Sequence, residues 1–129
     1  ERSSSLTKMK KLLGILVMVS WCGVVSAEIT VGKYLEMKKD NDPQVMNVIK
    51  GYVSGIGDGA LWYYVVLHME HGIKTKVYCV PDSLELNVEN YISFLDEKIE
   101  LVKKAGKFDP DAPIGMYIIH RLQEVFPCK

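Results

Sequence analysis

Apolar residues recur along this chain at the three- and four-residue steps of a helix. The longest run is Val45, Ile49, Tyr52, Ile56, Ala60, Tyr63 and Leu67, which holds one face for about six turns. Asp42-Pro43 supplies a start, with Asp as N-cap and Pro at the first helical position. Gly72 supplies a stop. Together they predict a helix over 43–71, with a bend expected near its glycines.

Three shorter helices surround it in the sequence. Thr30 precedes Val31, Tyr34 and Leu35, which predicts a first helix over Val31–Met37 that gives way to the polar run from Lys38 to Asp42. Asn87 caps a third stripe made of Val88, Tyr91, Leu95, Ile99 and Val102. Lys103 and Lys104 fall in its last turn and Gly106 ends it. Glu100 and Lys104 are spaced as an i,i+4 ion pair. The fourth stripe is Ile114, Ile118, Leu122 and Val125, with Asp111 as the expected cap and Pro127 as the terminator. Between the second and third stripes, 73–86 lacks helical period and contains the turn residues Pro81-Asp82-Ser83. The expected fold class is all-α, a small bundle of about four helices with one disulfide.

The N-terminal pattern is different. Met9 is followed by two lysines, an apolar core from Leu12 and the small-residue end Val25-Ser26-Ala27. This is the pattern of a cleaved secretory signal peptide. Residues 1–8 are read as upstream sequence. The uncharged stretch from Leu12 to Ala27 is shorter than the roughly 20 residues a spanning helix needs. Trp21, bulky and just ahead of Cys22, argues against a lipidation signal. The expected product is a single domain, 28–129, exported to the periplasm with no membrane anchor.

Removing 1–27 changes the charge. Basic residues fall from 16 to 12 and acidic ones from 16 to 15, leaving a net charge of −3 with neutral His. There is no basic footprint for nucleic acid or anionic lipid. Two cysteines remain, Cys79 and Cys128, with one intramolecular pairing open to them. In an oxidising compartment that pairing is the expected disulfide. Closing its loop is worth roughly 4 kcal/mol in the chain-entropy account. The competing role, Cys79 as a nucleophile, requires a base beside it.

Four glycines crowd the stretch Gly51–Gly59. They do not make a P-loop, since no Lys-Ser/Thr follows. They do not make a dinucleotide fingerprint, which needs a preceding strand. Gly51, Gly55 and Gly59 recur every four residues, so they share a helix face beside the apolar stripe. Each costs about 1 kcal/mol relative to Ala. The expectation is that this face packs closely against another backbone or a bulky side chain. Trp62, Tyr63 and Tyr64 just downstream are expected in a core or an interface.

"KGYVSGIGDG", "VYCVPDSLELNVENYISFLDE" and "HRLQEVFPCK" together resemble the Tai/Rap family of periplasmic immunity proteins. The resemblance runs from about Val45 to the C-terminus. It rests on Gly51–Gly55 with Asp58, on Cys79-Val80-Pro81, and on Phe126-Pro127-Cys128. Where many relatives carry a further Cys ahead of the Gly-Tyr pair, this chain has Asn47, Val48 and Ile49. The resemblance implies an all-helical, often dimeric protein that inhibits a cognate peptidoglycan amidase delivered by type VI secretion. It implies no enzymatic activity and no cofactor.

An inhibitor of a cleft needs a rigid protrusion. Two segments fit: Tyr78–Leu86, with Pro81 and Asp82, and Lys107–Pro113, with Asp109 and Asp111. The second is favoured, because its carboxylates could meet a basic cleft rim. His68 and His71 sit at i,i+3 without an evident third ligand, so no metal site is expected. The alternative function is a small, acid-responsive periplasmic chaperone, and a third is an enzyme built on Cys79 and a His.

Overall fold

A computed structural model describes residues 28–129. The proposed signal segment, with Cys22, lies outside the described residues. Four helices follow in order: α1 (Val31–Asp40), α2 (Pro43–His71), α3 (Val88–Lys104) and α4 (Ile114–Val125). α1 and α3 pack on α2, and α4 packs on α3. Among the described residues the only β-type pairing is an isolated antiparallel bridge between Thr30 and Pro113. No described helix is long and apolar enough to cross a membrane.

Local chemistry sets the helix ends. The Asp42 side chain accepts from the Gln44 N–H at 2.8 Å, with Pro43 at the first position. At the other end Gly72 is left-handed, φ 64°, and its N–H donates to the His68 carbonyl. Asn87 and Asn90 form a reciprocal capping box at the start of α3. α1 runs three residues past its expected end, to Asp40, and closes on a left-handed Asn41. The added turn is tied down by Lys38, whose ammonium contacts the Asp96 carboxylate on α3.

Two expectations are corrected. Asp111 does not cap α4; Pro113 occupies that position without a side-chain cap. The free N–H of Ile114 donates instead to the Ile29 carbonyl at 3.0 Å, a contact made by the other end of the domain. Glu100 pairs with Lys103 at 3.1 Å rather than with Lys104.

The core gathers Val31 and Tyr34 from α1, Ile49 and Val53 from α2, Leu95 and Ile99 from α3, and Ile114, Ile118 and Leu122 from α4. The buried face of α2 is centred on Ile49, Val53 and Gly57. At about 100° per residue that is roughly 60° around the helix from the stripe through Val45 and Tyr52. Tyr91 explains the rotation. Its ring lies against Gly57, where an added Cβ would come within 2.7 Å of the ring carbon bearing the hydroxyl.

The glycine-face expectation therefore fails within this chain. A Cβ on Gly51, Gly55 or Gly59 would meet nothing within 4 Å. The close approach belongs to Gly57 instead. Tyr63, expected on the inner stripe, is exposed, and so is Trp62. The C-terminal third of α2 carries large apolar side chains outward.

Candidate functional site

Lys107–Pro113 joins α3 to α4 and is held at its α1 side. The Val31 N–H donates to the Ala112 carbonyl at 2.9 Å and the Gly32 N–H to the Pro110 carbonyl at 2.8 Å. Gly32 makes this approach a close one, since a Cβ would sit 3.1 Å from that carbonyl oxygen. Within the turn the Asp111 N–H donates to Asp109 Oδ1 at 2.9 Å. Ala112 is buried beneath it. Phe108, Asp109, Pro110 and Asp111 remain exposed. The segment is thus fixed by main-chain bonds while its carboxylates face water.

The second segment is anchored differently. Cys79 and Cys128 stand at disulfide distance, 2.04 Å between sulfurs and 5.0 Å between Cα atoms. The Cys79 N–H also donates to the Phe126 carbonyl at 2.8 Å. Beyond this anchor the chain turns at Pro81, whose carbonyl accepts from the Leu84 N–H. Pro81, Asp82 and Ser83 are exposed. In the disulfide, Cys79 has no thiolate to offer as a nucleophile.

The two segments are not brought together. One precedes α4 and the other is tied to its far end, and a helix of that length spans about 18 Å. Pro81 and Asp82 therefore belong to a different surface from Asp109 and Asp111.

A cleft of about 460 Å³ lies between α2 and the Cys79 segment. Tyr64, Tyr78 and Tyr91 line it with Leu61, Val77 and Leu84. Lys76 reaches over the Tyr64 ring at 5.2 Å, and His68 stacks on the same ring at 5.8 Å. Burial pushes the Tyr78 hydroxyl up to about 12, and the neighbouring Tyr91 adds to it. Burial likewise raises Tyr91. These phenols stay protonated at neutral pH and can donate hydrogen bonds. Sequence reasoning missed the cleft, because 73–86 carries no periodic signal that would aim its side chains.

Elsewhere, Tyr34 Oη donates to Asp96 Oδ1 at 2.7 Å. Burial, followed by the Asp96 hydrogen bond, raises the Tyr34 pKa well above its ordinary value. Arg121 joins α4 to α3 through Glu97 at 2.9 Å, and it also contacts Glu124, which Lys98 approaches from α3. Chiefly through the Lys98 hydrogen bond, the Glu124 carboxyl is held below its ordinary value. Among the described residues no three His, Cys, Asp or Glu side chains stand together as a metal site would require.

No family, curated protein or solved structure matches the chain in sequence or fold comparison.

Proposed function

We propose that the protein is an exported inhibitor that binds a secreted peptidoglycan amidase and covers its active site, acting as an immunity protein in the periplasm. The observation that supports this reading most is the Lys107–Pro113 turn. Main-chain hydrogen bonds to α1 hold it in place while Asp109, Pro110 and Asp111 stay exposed. A protrusion ordered before binding avoids the ordering cost of association. Its paired carboxylates suit a basic cleft rim and would raise the encounter rate. The sequence resemblance to Tai/Rap proteins supplies the partner class.

The test is co-expression with a cysteine-type amidase encoded by an adjacent reading frame, directed to the periplasm. Cells should survive when this protein carries residues 9–27 and lyse when it lacks them. Lysis in both cases, with folded protein present in the periplasm, would reject that amidase as the partner.

A second reading is favoured by one observation, the outward apolar face of α2 at Leu61, Trp62 and Met69. Such a surface suits a chaperone for unfolded clients. Protection of a client from aggregation at low pH would favour the chaperone; its absence favours the inhibitor.

A further inference from the structure

The cleft between α2 and the Cys79 segment serves neither functional reading. At about 460 Å³ it falls within the size range of small-molecule sites. One wall is α2, where Gly57, Asp58, Leu61 and Tyr64 follow one another at helical steps. The other wall is the 76–86 segment, pinned through Cys79 by the disulfide and by the Phe126 carbonyl. Tyr91 reaches in from α3 with its ring against Gly57. Both walls are thus fixed by the fold itself, which lowers the ordering cost of taking up a ligand.

The charges of the cleft do not close on one another. Asp58 and Glu85 bring two carboxylates to the lining, and Lys76 brings one ammonium. Among the described residues neither carboxylate is ion-paired. Lys76 is not ion-paired either; its ammonium lies over the Tyr64 ring at 5.2 Å. The lining therefore combines an excess of negative charge with the rings of Tyr64, Tyr78 and Tyr91. A phenol ring is negative on its face and attracts a cation, more strongly where water is excluded. The position of Lys76 shows that the Tyr64 ring is open to one.

We infer that the cleft binds an organic cation, a ligand with an ammonium group on an apolar body. The ammonium takes the Tyr64 ring in place of Lys76, within the field of Asp58 and Glu85, and the body rests on Leu61, Val77 and Leu84. An anionic ligand would meet the wrong charge. A neutral apolar one would leave both carboxylates without a partner. Lys76 is the internal competitor: its exposed side chain swings to solvent when the ligand enters. The ammonium can belong to a free small molecule or to a lysine side chain of a polypeptide, and the same groups recognise both. This inference does not rest on the inhibitor reading.

Titration of the purified protein with choline, followed by NMR, should shift the ring signals of Tyr64 and Tyr78 and saturate on the order of millimolar, as suits so small a ligand. The uncharged isostere of choline, with a tert-butyl group in place of the trimethylammonium, should bind at least about tenfold more weakly. The Asp58→Asn, Glu85→Gln double variant should weaken choline by about tenfold. Lys76→Gln should act in the opposite direction and tighten it by about threefold. All three side chains are exposed, so these variants should keep the wild-type unfolding midpoint and leave the isostere's affinity unchanged. A parallel titration with a short capped peptide bearing one lysine separates the sources. Tighter binding of the peptide assigns a polypeptide ligand, tighter binding of choline assigns a free molecule, and either supports the site. No ring shift with either ligand, equal affinity for choline and its isostere, or a choline affinity indifferent to all three substitutions would overturn the inference.

Discussion

Two glycines four or fewer residues apart can have opposite roles, and only the packing of α2 separates them. Gly57 is buried under the Tyr91 ring, whereas Gly55 faces open space. Gly57→Ala should therefore destabilise the fold, by about 1–3 kcal/mol as overpacking does, despite the better helix propensity of alanine. Gly55→Leu should not destabilise the monomer. Thermal unfolding of the two variants checks both, and equal losses would mean the buried face of α2 is wrongly placed. Tyr34 gives a second expectation at this scale. Its folded pKa is raised, so its contribution is complete below the ordinary tyrosine value of 10.0 and is lost as pH rises beyond it. Stability should fall above about pH 10 in the wild type. Tyr34→Phe should show a smaller alkaline loss and cost about 1 kcal/mol near neutrality, since it strands one acceptor on Asp96. Denaturant midpoints at neutral and alkaline pH measure both effects.

The helices themselves were largely legible. Asp42-Pro43, Asn87 and Gly72 act through the two or three residues beside them, so their roles can be read without knowing the fold. The rotation of α2 was not legible, because it is decided by Tyr91 on another helix. The start of α4 was not legible for the same reason: the carbonyl of Ile29, far away in sequence, supplies the acceptor expected from Asp111. The approach of Gly32 to Pro110 likewise joins segments with no local signal in common. The cysteine pair was readable because one pairing is open to the chain once the expected signal segment, with Cys22, is set aside. It clamps the segment after α2 to the end of α4, two elements otherwise linked by the Cys79–Phe126 main-chain bond and by side-chain packing. Cys128→Ser, or reduction, should cost up to roughly 4 kcal/mol and free the 73–86 segment first. Hydrogen exchange would show that loss at Cys79, whose N–H donates to the Phe126 carbonyl, with α1 and α3 still protected. Uniform loss of protection would mean the clamp supports the whole bundle instead.

At the scale of the molecule, acid behaviour separates the two functional readings. Glu124 and Glu89 are both held below the ordinary carboxyl value, by Lys98 and Lys50 respectively. Their contribution is present above the ordinary value of 4.5 and is lost as pH falls through the lowered one. These two exposed pairs should hold their small contribution down to about pH 5 and lose it only below that. Binding of an apolar dye between pH 7 and pH 3, followed beside helical content, locates that transition. An inhibitor requires the structured side of it, and a chaperone the loosened side.

The inhibitor reading places the Lys107–Pro113 turn at the centre of binding. The most direct test is inhibition of any peptidoglycan amidase that an adjacent reading frame encodes, measured on purified peptidoglycan with wild type and with an Asp109→Asn, Asp111→Asn double variant. Both side chains are exposed, so the variant should keep the wild-type fold apart from a modest change within the turn. Wild type should abolish cleavage at near-stoichiometric ratio. The double variant should inhibit at least tenfold more weakly, with the loss largest at low ionic strength, where charge steering is strongest. Full amidase activity in the presence of excess folded wild type, or equal inhibition by the two proteins at every salt concentration, would contradict it.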